Sequence, residues 1–235
     1  MKPLLASIID HVGNAKRTIA IVGSGGKTTL MIALAAAYAK RGERVLLSTT
    51  TKLQKPDRVS YGCDRSFTDD AIFRTVHPPG QRIFYALDGK EKALAPPIEH
   101  LASLSKRFSV TLIEADGARG MDLKIHSERD PVIPSFTTAT IATLSLSALG
   151  KSAASVCFGC DGDQSIVDEA WLEAYIRSPA GPMKAMRGTP LLLCTQSEHV
   201  DRNSIQNLRD RCADLSILFG SLHSDTVVAF KGLVL

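Results

Sequence analysis

The residues best suited by type and spacing to do chemistry form one short run, Gly23-Ser24-Gly25-Gly26-Lys27-Thr28-Thr29. Small residues let a backbone wrap closely around a polyphosphate with its N–H groups pointing inward. Lys27 would reach the β and γ phosphates of ATP or GTP, and the Thr28 hydroxyl would bind Mg²⁺. Gly23, Ser24, Gly25, Gly26 and Thr29 would complete the cradle. The run departs from the usual phosphate-binding loop at one position: six residues before the lysine, where a glycine is expected, stands Ile21.

A second acidic segment could supply the metal's other partner. The apolar run Val110-Thr111-Leu112-Ile113 leads into Glu114-Ala115-Asp116-Gly117-Ala118-Arg119-Gly120. Asp116 is the first candidate to support Mg²⁺, through a metal-bound water, and Glu114 to orient water or hold the loop. With Lys27 they make up the candidate catalytic set. Gly117 and Gly120 would let the segment move with the γ-phosphate, as switch loops do. Arg119 and Lys124 are candidates to neutralise charge in phosphoryl transfer, with at least one of them expected to be a solvated surface charge. Ser48-Thr49-Thr50-Thr51-Lys52 should end the second strand on the same rim.

After Leu191-Leu192-Leu193-Cys194 comes Thr195-Gln196-Ser197-Glu198, where many GTPases carry Asn/Thr-Lys-x-Asp. Thr195 and Glu198 are therefore candidate base-binding residues. Gln196 in place of Lys and Glu198 in place of Asp leave ATP and GTP both open. Cys157-Phe158-Gly159-Cys160 could bind a metal, form a redox pair, or be two thiols in a tight turn. A closed zinc site would need a second pair, which the sequence lacks. The six histidines show no close metal-ligand spacing, and His126 reads as an ordinary loop histidine.

These residues need strands to carry them and helices to brace them. Ile19 to Val22, Val45 to Leu47, Ile83 to Leu87, Val110 to Glu114, Ala139 to Leu146, Leu191 to Cys194 and Val227 to Phe230 read as strands. Helical spacing predicts an amphipathic helix within Met1 to Val12, and further helices over 28–40, 69–76, 96–108, 163–177 and 200–213. Asp88-Gly89 reads as a hairpin-like turn. The 117–138 connection is long and polar, and such loops are more often functional than idle. Alternating strands and helices imply an α/β fold of the P-loop NTPase type, a mostly parallel sheet with helices on both faces. Ligands would then sit at the C-terminal ends of the strands.

Composition sets the outer bounds. The 235 residues fit one α/β domain spanning 1–235, with 44% hydrophobic and 22% charged residues. A net charge of +4 without long basic runs gives no footprint for nucleic acid or membrane. The sequence has neither a signal-type core near its start nor an apolar run of spanning length, so a cytoplasmic protein is expected. Its five cysteines then read as reduced thiols.

Taken in order, Val22 to Met31, Thr49-Thr50-Thr51-Lys52, Ile113 to Gly120 with Leu123-Lys124, Asp130-Pro131-Val132-Ile133-Pro134 and Leu149-Gly150-Lys151 resemble the YqeC family. The resemblance implies a nucleotide-dependent accessory factor for maturation of a selenium-dependent molybdenum hydroxylase, with a metalloenzyme as protein client. The chain departs from the family pattern at Ala154 to Cys160, where members commonly carry a His-Arg-Pro-Glu-like segment, and at Gln196 and Glu198. The leading expectation is a slow Mg²⁺-dependent NTPase. A small-molecule kinase using the 49–81 and 117–138 loops, and a nucleotide switch without turnover, are the alternatives. Many proteins of this fold dimerise across the nucleotide, so a homodimer is allowed although no residue specifies one.

Overall fold

The computed structural model describes residues 2–13 and 17–228. In chain order the elements are α1 (Leu4–Val12), β1 (Arg17–Gly23), α2 (Lys27–Lys40), β2 (Val45–Thr49), β3 (Arg65–Phe67), α3 (Ala71–Arg74), β4 (Arg82–Tyr85), α4 (Ile98–Ser105) and β5 (Val110–Glu114). They continue with β6 (Leu123–Lys124), β7 (Ala139–Ser145), α5 (Ala153–Val156), β8 (Cys157–Phe158), α6 (Glu169–Arg177), β9 (Thr189–Thr195), α7 (Arg202–Arg211), β10 (Ile217–Ser221) and β11 (Thr226–Val227).

Nine strands form one sheet in the order β11-β10-β9-β7-β1-β5-β2-β4-β3. Every neighbouring pair is parallel except β10 with β11. The two-residue period of a strand explains how this sheet is covered on both faces. On β1, Ile19 and Ile21 enter a core shared with α1 and α2, while Ala20 and Val22 enter another shared with α6 and α7. On β9, Leu191 and Leu193 join the first core, and Leu192 and Cys194 the second. A third cluster packs Leu101, Leu104 and Phe108 against Leu46, Ile83 and Ile113. The fold is thus mostly parallel α/β with helices on both faces.

The chain order fixes where a ligand can sit. From β1 the chain crosses to β2, returns to place β5 directly beside β1, and then reaches β7 on the other side of β1. Connections that leave in opposite directions open a crevice at the C-terminal ends of adjacent strands. The C-terminal ends of β1 and β5, at Gly23 and Glu114, lie side by side there.

Several boundaries differ from the sequence reading for identifiable reasons. The helix expected over 163–177 starts only at Glu169, because the Asp168 carboxylate caps it by accepting from the Trp171 N–H at 2.7 Å. Upstream, Ile166 forms a bridge with Ser152 and is exposed, so its spacing with Val167 is not that of a helix face. Pro97 and Asp201 stand just outside α4 and α7 and shorten both. Strands β3 and β10 go beyond the sequence reading; β10 holds Gly220, which obscures its short apolar run. The last strand is Thr226–Val227, and the expected continuation through Ala229 and Phe230 lies outside the described residues. Cys157 and Cys160, for which the sequence leaves a metal site, a redox pair or two reduced thiols open, are joined by a disulfide. Among the described residues, no helix is long and apolar enough to cross a membrane.

Candidate functional site

The glycine-rich run links the end of β1 to the start of α2 along a tight path. Gly23 has φ +87°, and a Cβ there would lie 2.2 Å from the Thr143 carbonyl oxygen on β7. No larger residue fits without moving the sheet. Gly26 takes the N-cap position of α2 in the left-handed conformation, and no side chain caps the helix. The first-turn N–H groups of a fourteen-residue helix are thus left to an outside acceptor. The Ser24 hydroxyl is buried and has no hydrogen-bond partner among the described residues.

Lys27 and Thr28 open α2 and meet both acidic residues of the β5 end. The buried Lys27 ammonium donates to the Gly23 carbonyl at 2.6 Å and lies 3.0 Å from Asp116 Oδ1 and 4.0 Å from Glu114 Oε1. The Thr28 hydroxyl donates to Glu114 Oε2 at 3.0 Å. The carboxylate beside the Thr28 hydroxyl is therefore Glu114. Asp116 sits deeper, within a cage: its Oδ2 accepts from the Gly23 N–H at 2.8 Å and from His126 Nε2 at 2.6 Å, with Lys124 Nζ 3.7 Å away.

The two carboxyls are pushed in opposite directions. Burial raises Glu114 above its ordinary value, and the Lys27 charge and Thr28 hydrogen bond do not fully offset it. Burial also pushes Asp116 up, but the His126 hydrogen bond and the charges of Lys27 and Lys124 outweigh it and hold the carboxyl below its ordinary value. Glu114 is thus the carboxyl whose ionisation its surroundings disfavour. Asp116 is the settled counter-ion of two buried lysines.

His126 and Lys124 are the residues that sequence reasoning undervalued. His126 is buried, with Nδ1 2.8 Å from the Gly181 carbonyl oxygen and Nε2 2.6 Å from Asp116 Oδ2. Lys124 is buried too, donating to the Gly117 carbonyl at 2.7 Å and pairing closely with Asp130. Burial and two bonds pull Asp130 in opposite directions, and its partners Lys124 and Ser127 hold it low. The sequence offers only their place in the long polar connection; the structure sets Lys124 on β6, a two-residue strand paired with β8. Arg119, by contrast, is exposed, with its guanidinium 4.9 Å from the Phe158 ring centroid.

The other candidates fall around this floor with unequal prominence. Thr195 is buried, and its hydroxyl donates to the Gly25 carbonyl at 2.6 Å, bracing the loop from the β9 end. Glu198 is exposed on a short 3-10 helix, 3.9 Å from His199, and does not line the cleft above the loop. Gln196 does line it, with φ 58°. Thr29 is exposed at the cleft, next to Thr28. The 50s segment is tied in by the Thr50 N–H to the Glu114 carbonyl at 3.1 Å and the Thr50 hydroxyl to the Val132 carbonyl at 2.7 Å. The cleft these segments enclose has a volume of about 1460 Å³.

Among the described residues, no cluster of three or more His, Cys, Asp or Glu side chains could hold a metal by protein ligands alone. Mg²⁺ at a phosphate site is commonly held by one or two protein oxygens with phosphate and water completing the shell. The Thr28 hydroxyl and Glu114 carboxylate, hard oxygens side by side, fit that donor set.

A family model described as YqeC protein matches residues 19–161. A relative from Escherichia coli (strain K12), named Uncharacterized protein YqeC, is 34% identical over 152 residues, covering 62% of this chain and 59% of the relative. The chain thus spans under two thirds of that relative's length. The matched segment holds the glycine-rich turn, both acidic residues, Lys124, His126 and the Cys157–Cys160 pair, so the site and the family coincide: the chain belongs to the YqeC family.

Proposed function

We propose that the protein binds a nucleoside triphosphate with Mg²⁺ at the glycine-rich turn and hydrolyses it slowly, as a P-loop NTPase. One observation carries the reading. Lys27 and Thr28 open an uncapped helix after a glycine turn, and the adjacent strand brings a carboxylate to within 3.0 Å of the Thr28 hydroxyl. A strand–glycine turn–helix unit with a Lys-Thr pair and a neighbouring acidic strand end suits a β,γ-phosphate and its cation.

The roles follow from the contacts. The free N–H groups of the first turn of α2 hold the phosphates. Lys27 swings from the Gly23 carbonyl onto the β and γ oxygens, where its charge is worth more than on a carbonyl. Thr28 and Glu114 hold Mg²⁺, which would neutralise charge on the phosphates. Asp116, kept ionised by Lys27, Lys124 and His126, fixes the position of the loop through the Gly23 N–H. Because Gly117 accepts from Lys124, the segment after β5 is linked to the same network and would report the γ-phosphate to a partner. ATP and GTP both fit this account, since Glu198 stands away from the cleft. The resemblance described above supports an accessory role toward a selenium-dependent molybdenum hydroxylase. A cytoplasmic location goes with a nucleoside triphosphate ligand.

The test is calorimetric titration with ATP and GTP, with and without Mg²⁺, beside phosphate-release assays on the wild type and Lys27→Ala. Mg²⁺-dependent binding that Lys27→Ala abolishes is the expected result. Absence of binding by either nucleotide to the folded wild type overturns the reading.

A further inference from the structure

The cleft is larger than one phosphate-loop ligand requires. Ligand pockets for single small molecules run to about 300–1,000 Å³, against about 1460 Å³ here. The phosphate loop, Glu114 and Asp116 occupy only the β1–β5 end. The remainder is walled by two segments that no phosphate contact uses, 50–61 with 92–95 on one side and 117–132 on the other.

These walls have a definite chemistry. Leu53 and Ala93 are joined by a pair of backbone hydrogen bonds of 3.0 Å, which set Lys52 and Lys92 on the same rim. Behind them Val59, Leu94 and the buried Tyr61, stacked on Phe84 at 4.6 Å, give an apolar wall. Arg119 and Arg129 line the opposite side. All four cations are exposed, and none of them makes a hydrogen bond or ion pair with a carboxylate among the described residues. The two acids of the 117–132 segment that line the cleft are already engaged: Asp130 with Lys124 and Ser127, Asp122 with Lys151 at 3.5 Å. Arg119 is further marked by φ 52°, a left-handed backbone that a non-glycine residue holds at a cost, at the lip of the cleft.

We propose that this outer half of the cleft is a second binding site, for a phosphorylated ring compound of mononucleotide size held beside the triphosphate. The apolar wall takes the ring, and the cations from the two sides close on the phosphate, with the arginines able to engage its oxygens in pairs. The cleft then holds two ligands at once, and the protein is a two-substrate binder rather than one that meets only a nucleotide and water. The inference builds on the proposed triphosphate site but concerns different residues.

The experiment uses AMP and GMP as probes, with adenosine as the phosphate-free control. Each is titrated by calorimetry into the protein saturated with Mg²⁺ and β,γ-imido-ATP or β,γ-imido-GTP, and into the protein alone. One further saturable site for a mononucleotide, absent for adenosine, is expected. The double variant Lys52→Glu/Lys92→Glu, and separately Arg129→Glu, should weaken that binding about tenfold or more while leaving triphosphate affinity within about threefold. Lys27→Ala should do the reverse. Competition between mononucleotide and triphosphate, no binding of either probe at millimolar concentration, or indifference to the rim substitutions would each overturn the second site. Mononucleotide binding that survives when no triphosphate binds would sink the phosphate-loop reading alone and leave this one standing.

Discussion

The floor and the rim of the cleft are built on opposite principles. At the floor, Lys27, Lys124, Asp116 and His126 are buried, and the Asp116 carboxylate lies within 4 Å of both ammonium groups and of the imidazole. At the rim, Lys52, Lys92, Arg119 and Arg129 are exposed and meet no carboxylate among the described residues. A buried charge left without its partner is costly, so the floor must be complete before any ligand arrives. An exposed charge costs almost nothing to leave unpaired, so the rim can wait for one. The floor is thus tied to stability and the rim to recognition, and substitutions should separate the two.

The largest effect is expected at Asp116. Asp116→Ala removes the carboxylate that lies against both buried ammonium groups, leaving Lys27 with only Glu114 at 4.0 Å and Lys124 with Asp130, and removes the acceptor of the Gly23 N–H. A loss of about 3–5 kcal/mol in denaturant unfolding is expected. The pH dependence has a fixed sign. Asp116 titrates below the ordinary 3.8, so its contribution is fully present above that value and disappears as pH falls through the depressed native value. A shallower acid limb in the variant than in the wild type would be the corresponding mark. Unchanged stability would show that the floor is not the pre-assembled unit described.

Glu114 sharpens the contrast within the floor itself. Its carboxyl is raised, so ionisation is disfavoured in the folded protein, and this destabilising contribution grows as pH rises from 4.5 through the raised native value. Glu114→Gln keeps an oxygen for the Thr28 hydroxyl and removes the strained charge. The unliganded protein should gain stability near neutral pH, read as a raised melting temperature that returns toward the wild-type value as pH falls to 4.5. Mg²⁺-dependent nucleotide binding should weaken at the same time. A variant that lost both stability and binding would place Glu114 with Asp116 as a structural carboxylate.

The same division explains what could be read from the sequence. The residues of the glycine turn and the end of β5 were legible because local pattern dictates them: an apolar run, then small residues or acids, at a strand end. The sheet was legible too, since Ile19 to Val22, Val110 to Ile113 and Leu191 to Cys194 are buried on both faces and hold a single polar side chain, the β-favouring Thr111. His126 and Lys124 were not: His126 is held partly by Gly181, far along the chain, and the carboxylates around Lys124, though near in sequence, lie in a polar connection where no residue pattern marks which side chains fold inward. The choice between Glu114 and Asp116 beside Thr28 was equally closed to local reading. The parallel register of β1 with β5, pairing Ile21 with Glu114, fixes which of the two reaches α2. Helix 163–177 failed for a different reason: a capping Asp168 overrode an apolar spacing that continued upstream of it.

The smallest effects belong to the rim, and Arg119 allows two of them to be weighed against each other. Its left-handed backbone costs about 1–2 kcal/mol relative to glycine. Its guanidinium over Phe158 returns about 0.5–1 kcal/mol at an exposed position. Arg119→Gly removes both. The strain it releases roughly offsets the missing cation–ring attraction and the greater freedom of the unfolded chain, so stability should stay within about 1 kcal/mol of the wild type. Arg119→Ala removes the cation–ring attraction and keeps the strain, and should be the less stable of the pair. If a ligand phosphate is what Arg119 is held for, both variants should weaken mononucleotide binding alike despite their different stabilities. Weakened binding confined to Arg119→Gly, the variant that releases the left-handed backbone, would show that the backbone conformation, and not the guanidinium, governs this side of the cleft.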